Sequence, residues 1–160
     1  MICIYTDGAC SFNGSSDAIA GWSFCVVRGN ELLDKYYGTV YNGTNNIGEL
    51  WGILSALTYI DKWAEEETEI IIYSDSAYCV NGANEWRHNW RCNGWKRSSG
   101  ELKNAELWQS IDYFLNKHPN VRIEKVKGHA GVDWNDYADT LAKKGVEDGK
   151  NSHRPDELYG

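Results

Sequence analysis

The alternation and clustering of apolar residues divide the chain into strands and helices. "MICIYT" is β-branched and aromatic, "GWSFCVVRG" and "ELLDKYYGTV" follow Gly-rich breaks, and the "RGNE" between those two carries a hairpin-like Gly-Asn. Three consecutive antiparallel strands are predicted. From Asn46 the period changes. Ile47, Leu50, Trp51, Leu54, Leu57 and Ile60 recur at helical spacing and give one apolar face. "EIIIYSD" is then an unbroken apolar run of strand length, as expected where both faces of a sheet are covered. A strand, a crossover helix and another strand place this fourth strand parallel to a neighbour.

"SAYCVNGANEW" reads as helical. Ala105, Leu107, Trp108, Ile111, Phe114 and Leu115 mark another amphipathic helix, "VRIEKV" a fifth strand, and "DWNDYADTLAKKG" a last helix closed by Gly145. The chain of 160 residues is of a size to form one globular domain. That domain is assigned to residues 1–146, and residues 147–160, polar and containing Pro155, to a mobile tail.

Composition narrows the setting. No apolar run reaches about 18 residues and the N-terminus lacks the zones of a signal peptide, which predicts a soluble, cytoplasmic protein with no membrane role. Five cysteines without a Cys-x-x-Cys pair suggest reduced thiols rather than a disulfide framework or a common zinc finger.

Charge is distributed unevenly. Residues 1–84 carry eleven acids against three bases, whereas residues 85–103 carry two against five, in a chain of net charge −7. The basic excess coincides with "EWRHNWRCNGWKRSSG", where Arg87, Arg91, Lys96 and Arg97 are interleaved with Trp86, Trp90 and Trp95. A polyanionic partner must therefore be held locally, because the remainder of the chain repels it.

Four carboxylates have ordinary readings when taken singly. Asp7, after the first strand, suits an Asp-Gly turn; Glu49, three residues after Asn46, suits a capping box. Asp75, ending the fourth strand, suits a helix cap, and Asp139 suits an ion pair with Lys143. Together they read differently. If the first and fourth strands are neighbours, Asp7 and Asp75 lie side by side, and the crossover helix brings Glu49 to the same end. Clustered carboxylates raise one another's pKa unless a cation neutralises them. Oxygen-only ligands select Mg²⁺ or Mn²⁺, and paired ions of this kind serve phosphate-ester hydrolysis.

The stretches "YTDGACSFNG", "TNNIGE", "YSDSAYCVNGANEW", "NWRCNGWKRSSGELKNAELW" and "VKGHAGVDWNDYADTLA" occur in the order found in one family. Over roughly residues 2–145 the chain resembles type 1 ribonuclease H. The resemblance implies an α/β ribonuclease H-like fold: a five-stranded mixed sheet, three antiparallel strands then parallel ones, flanked by helices. It implies endonucleolytic hydrolysis of the RNA strand of an RNA/DNA hybrid with two Mg²⁺ ions, Mn²⁺ being a possible substitute, leaving 5'-phosphate and 3'-hydroxyl ends. Asp7, Glu49, Asp75 and Asp139 match the family's metal-binding acids, and His129 in "KGHAG" its mobile histidine, which assists proton transfer or product release.

By the same resemblance, Asn13, Asn45 and Asn46 match contacts to the hybrid's minor groove, and Thr44 and Asn104 a pocket for a DNA phosphate. Asn42 stands where some members add an arginine to that pocket. Tyr78 and Trp86 match the aromatic lining of the DNA-strand channel, and Arg87, Arg91, Lys96 and Arg97 belong to a segment resembling the family's basic handle. A monomer is expected. Two other readings are a noncatalytic hybrid-binding module and another nuclease or strand transferase of the same superfamily. The complete acid set opposes the first, and Lys-Gly-His-x-Gly with the tryptophan-rich handle opposes the second.

Overall fold

A computed structural model describes residues 1–97, 100–126 and 133–152. In chain order its elements are β1 (Ile2–Ser11), β2 (Ile19–Arg28), β3 (Glu31–Tyr41), α1 (Asn45–Trp63), β4 (Ile70–Ser74) and α2 (Ala77–Asn81). A π-helical turn (Gly82–Trp86) leads into α3 (Arg87–Cys92), followed by a short hairpin of β5 (Lys96–Arg97) and β6 (Gly100–Glu101). Then come α4 (Ala105–Lys117), β7 (Val121–Lys125) and α5 (Trp134–Ser152).

The main sheet has the order β3-β2-β1-β4-β7, in which β3, β2 and β1 are antiparallel while β1, β4 and β7 run parallel. The mixed five-stranded sheet and the adjacency of the first and fourth strands agree with the sequence reading. On one face, α1 packs on β1 and β2, and α4 packs on α1. Ile4, Leu50, Ile53, Leu57, Ile72, Trp108 and Ile111 form the centre of the core there. On the other face α5 lies across β1, β2 and β3. No helix among the described residues is long and apolar enough to cross a membrane.

The helical stretch read in "SAYCVNGANEW" runs on to Cys92 and a short β5/β6 hairpin follows that the sequence reading lacked; two further differences have a tertiary cause. β1 does not stop before Asp7. It continues to Ser11 because β2 supplies an antiparallel partner for every position from Cys3 to Ser11, with Asp7 opposite Ser23. β4 pairs with β1 only from Ile2↔Ile70 to Tyr5↔Tyr73, so β1 runs on beyond the end of its parallel neighbour.

Likewise α5 does not end at Gly145, and residues 147–152 of the expected tail are helical. Gly145 is a packing glycine: a Cβ there would strike the Gly38 carbonyl on β3. Thr39 Oγ1 donates to the Gly145 carbonyl at 2.6 Å and Tyr37 Oη to Asp148 Oδ2 at 2.7 Å, which ties the helix to β3 past the predicted stop. Residues 153–160 of the expected tail lie outside the described residues.

Candidate active site

Asp7, Glu49 and Asp75 arrive from three elements, each located by backbone packing. Asp7 projects from β1 at the point where β4 has ended, and Asp75 follows the last residue of that strand. Thr6 Oγ1 donates to the Tyr73 carbonyl at 3.0 Å and closes the β1/β4 ladder beside them. α1 then approaches β1 through glycines. A Cβ on Gly8 would lie 2.8 Å from Glu49 Cα, and one on Gly52 would lie 3.0 Å from the Asp7 carbonyl oxygen. Gly48 and Gly52, four apart on one helix face, let the helix backbone rest on the strand, which carries Glu49 over Asp7.

The capping alternatives for Glu49 and Asp75 are not realised. Thr44 caps α1, its Oγ1 accepting from the Ile47 N–H at 3.1 Å, and Ser76 caps α2, its Oγ accepting from the Cys79 N–H at 3.2 Å. Both acids are thereby left for the cluster. One carboxylate oxygen from each of Asp7, Glu49 and Asp75 lies within 4.8 Å of the others.

Asp139, outside that group of three, comes from α5. Ser23, the β2 residue opposite Asp7, donates through Oγ to the Ala138 carbonyl at 2.5 Å, so the next residue of α5 is set against the cluster. Asp139 is near enough to help raise the Asp7 carboxyl, after burial and the charge of Asp75, and it also pairs with Lys143 at 2.9 Å, as the sequence reading expected. His129 lies outside the described residues.

The electrostatics are those of a site short of positive charge. Asp7 is 3 % exposed and Glu49 6 %. Burial, then the charge of Asp75, pushes the Asp7 carboxyl up to about 7. Burial, then the charges of Asp7 and Asp75, pushes Glu49 up to about 10. Glu49 Oε2 is buried with no hydrogen-bond partner among the described residues. A proton satisfies such a pair incompletely; a divalent cation, drawing on several oxygens at once, satisfies it better. The donor set fits such an ion.

A stability prediction follows. Both folded-state pKa values lie above the ordinary carboxylate range, so the stabilisation that Asp7 and Glu49 gain by staying protonated is complete below about pH 4. It is lost as pH rises through about 7 for Asp7 and about 10 for Glu49. Mg²⁺ should therefore raise the melting temperature at pH 8 and have little effect at pH 4. Thermal melts in EDTA and in Mg²⁺ at the two pH values check this; an equal shift at both would contradict it.

The candidate substrate residues come from the β1–β2 loop, the start of α1, α2, the π-helical turn, α3, β5 and the residue before α4. Asn13 Oδ1 accepts from the Asn45 N–H at 3.0 Å, which joins the β1–β2 loop to the start of α1. Asn46, Tyr78 and Arg97 border one groove of about 210 Å³, together with Trp90, Leu102 and Lys103. Asn104, in the left-handed region at φ 61°, donates through Nδ2 to Tyr78 Oη at 3.2 Å, and Trp108 Nε1 donates to the same oxygen at 3.0 Å. Tyr78 is therefore oriented by two donors. Trp86 is 37 % exposed beside it, with ring centroids 6.3 Å apart, whereas Trp90 packs on the buried Trp108 at 5.1 Å. Lys96 and Arg97 are exposed on β5. Arg87 is directed inward to Asp112, and Arg91 also contacts that carboxylate, at 3.3 Å.

Sequence reasoning did not single out Gly8, Gly48, Gly52, Ser23 or Asp112. The four-residue glycine spacing in "GELWG" was the available signal for the helix contact. Ser23 and Asp112 carry no local signal, since their partners lie 115 and 25 residues away.

Comparison with known proteins places these observations. The RNase H family model matches residues 1–147. A ribonuclease H of Chromobacterium violaceum is 39 % identical over 145 residues, covering 90 % of this chain and 93 % of that protein. The structure of a type 1 RNase H described as having the type 2 active-site motif superposes with a TM-score of 0.76 at 29 % identity, covering 92 % of this chain and 72 % of the other. A compost-derived RNase H1, solved with an RNA/DNA hybrid, has the same fold at TM-score 0.70 and 20 % identity, covering 94 % of this chain and 99 % of the other.

Proposed function

The chain belongs to the RNase H family, and from that premise we propose that it hydrolyses the RNA strand of RNA/DNA hybrids at the Asp7, Glu49, Asp75 and Asp139 cluster, with Mg²⁺ as its cofactor and Mn²⁺ able to replace it. The observation that carries this reading is the meeting of Asp7, Glu49 and Asp75 within 4.8 Å from three separate elements. When bound, a pair of divalent ions activates water and stabilises the leaving oxygen of an in-line displacement that leaves 5'-phosphate and 3'-hydroxyl ends.

The residues divide the remaining work. Asp7, Glu49 and Asp75 would hold the ions, and Asp139 would serve as a further ligand. Glu49 also meets the RNA 2'-hydroxyl. Asn13, Asn45 and Asn46 read the minor groove, where short amide side chains hydrogen-bond to hydroxyls and base edges. Tyr78 and Trp86 pack on deoxyribose, where a 2'-hydroxyl would interfere. Thr44 and Asn104 hold a DNA phosphate, and Arg91, Lys96 and Arg97 neutralise further phosphates. His129 transfers a proton near neutral pH. The protein acts as a cytoplasmic monomer.

The direct test is cleavage of matched RNA/DNA, RNA/RNA and DNA/DNA duplexes with Mg²⁺. The hybrid should be cut in its RNA strand and the other two left intact. Binding of the hybrid without cleavage would instead indicate a noncatalytic module.

A further inference from the structure

Arg87 stands in the sequence among the cations of the basic handle, but the fold turns it away from solvent. Its Nη1 donates to Asp112 Oδ1 at 2.6 Å and to Asn116 Oδ1 at 2.9 Å, and its Nε donates to the Ala83 carbonyl at 2.5 Å. The two charged side chains are 12 % and 6 % exposed. Asp112 is held in turn: Asn116 Nδ2 donates to its second oxygen at 3.3 Å. Of its five N–H donors, those on Nε and Nη1 are directed to protein acceptors rather than to solvent.

The position of this pair is informative. Ala83 lies in the π-helical turn Gly82–Trp86, an unusual element whose hydrogen bonds span one residue more than those of an α-helix. The turn is packed from below, since a Cβ on Gly82 would collide with the Trp108 ring. Arg87 closes it from the side, joining the Ala83 carbonyl to Asp112 on α4. At the end of that turn Trp86 is exposed beside Tyr78, and α3, carrying Arg91, begins at the next residue.

We propose that Arg87 and Asp112 are positioning residues, which lock the π-helical turn to α4 and so present Trp86 and α3 to the DNA strand of the hybrid. This rests on the hybrid-cleaving reading above. It assigns Arg87 a different task from Lys96 and Arg97. Three bonds in one plane require a guanidinium, whereas a charge for phosphate is supplied equally by lysine.

Arg87→Lys, Asp112→Asn and the double variant, assayed against an RNA/DNA hybrid over a range of salt concentrations, test the proposal. Each single variant should raise KM about tenfold with kcat within about twofold, the affinity lost being that of a displaced contact surface. The double variant should be no worse than Asp112→Asn alone, because that change already breaks the Arg87 link and, in both variants, the Arg91 contact to the same carboxylate. The slope of log KM against log salt should stay as in the wild type, since no phosphate contact is removed. Should Asp112→Asn fail to fold, Asn116→Ala removes one acceptor of Arg87 and one donor to Asp112 while leaving their ion pair, and should shift KM in the same direction by about threefold. A wild-type KM in Arg87→Lys overturns the proposal. So does an Arg87→Ala variant whose salt slope is shallower by about one, the mark of a phosphate grip. Absence of hybrid cleavage by the wild-type protein would overturn the functional reading instead.

Discussion

Asp7→Asn is expected to abolish Mg²⁺-dependent hybrid cleavage while making the metal-free protein more stable. The two effects have one cause. Asp7 is buried next to Glu49 and Asp75, and its carboxyl is pushed up to about 7, so at pH 8 the folded protein holds a charge in a place that resists it. Asparagine retains the shape and the capacity to accept the Gly8 N–H bond, seen at 2.9 Å, but carries no charge. Losing a ligand of the catalytic ions should lower kcat by about a thousandfold or more, since such ions supply several kcal/mol of transition-state stabilisation.

The stability gain should be on the order of 2 kcal/mol at pH 8. It should shrink to a small remainder near pH 4 and vanish below about pH 3, where Asp7 is protonated in both the folded and unfolded states. Urea denaturation in EDTA at pH 8 and pH 4, together with single-turnover cleavage in Mg²⁺, measures both parts. Retained activity would remove Asp7 from the site, and a variant less stable than wild type at pH 8 would show that its burial is not the dominant strain.

Gly8→Ala should reduce both stability and activity, unlike Asp7→Asn. The added Cβ would meet backbone atoms of Gly48 and Glu49, and backbone cannot swing aside as a side chain can. Either α1 withdraws from β1 or the strand bends. Overpacking of this kind costs about 1–3 kcal/mol. Because α1 carries Glu49, its withdrawal also moves one carboxylate away from Asp7 and Asp75, and the three oxygens no longer share an ion. The expected result is a lower urea midpoint, a higher Mg²⁺ concentration at half-maximal cleavage, and about a hundredfold loss of kcat, since small displacements of catalytic groups act steeply on rate. Wild-type Mg²⁺ dependence would show that the glycine contact does not position Glu49.

Neighbouring residues differ in how much of their role the sequence displays. Asp75 ends an apolar run, and its place at a strand end is legible because strand length is written in that run. Asp7 was placed beyond its strand, whereas the strand continues through it. The difference arises because β1 has partners of unequal length: β4 ends while β2 goes on, and neither length is visible in the residues around Asp7. Glu49 showed a helical position but not its burial, which depends on Gly8 in another element. Asp139 showed its pairing with Lys143, while its approach to Asp7 depends on the Ser23 bond to Ala138.

The basic segment shows the same limit for charge. Counting residues identified it, and the exposure of Lys96 and Arg97 is consistent with a handle. Counting could not distinguish Arg87 from them, because its partner Asp112 is on a helix formed later in the chain.

By itself the sequence determined the types and order of the main elements, the mixed sheet, the family and, in Asp7, Glu49 and Asp75, three acids that the fold brings together. These follow from local periodicity and from motifs, each of which is carried by consecutive residues. Tertiary structure decided where β1 and α5 end, how closely α1 approaches the sheet, which carboxylate loses its water and which arginine faces inward. Those outcomes depend on strand register, on glycines that allow backbones to touch, and on single hydrogen bonds between distant residues. The free energy of each is set by a partner that no local pattern specifies.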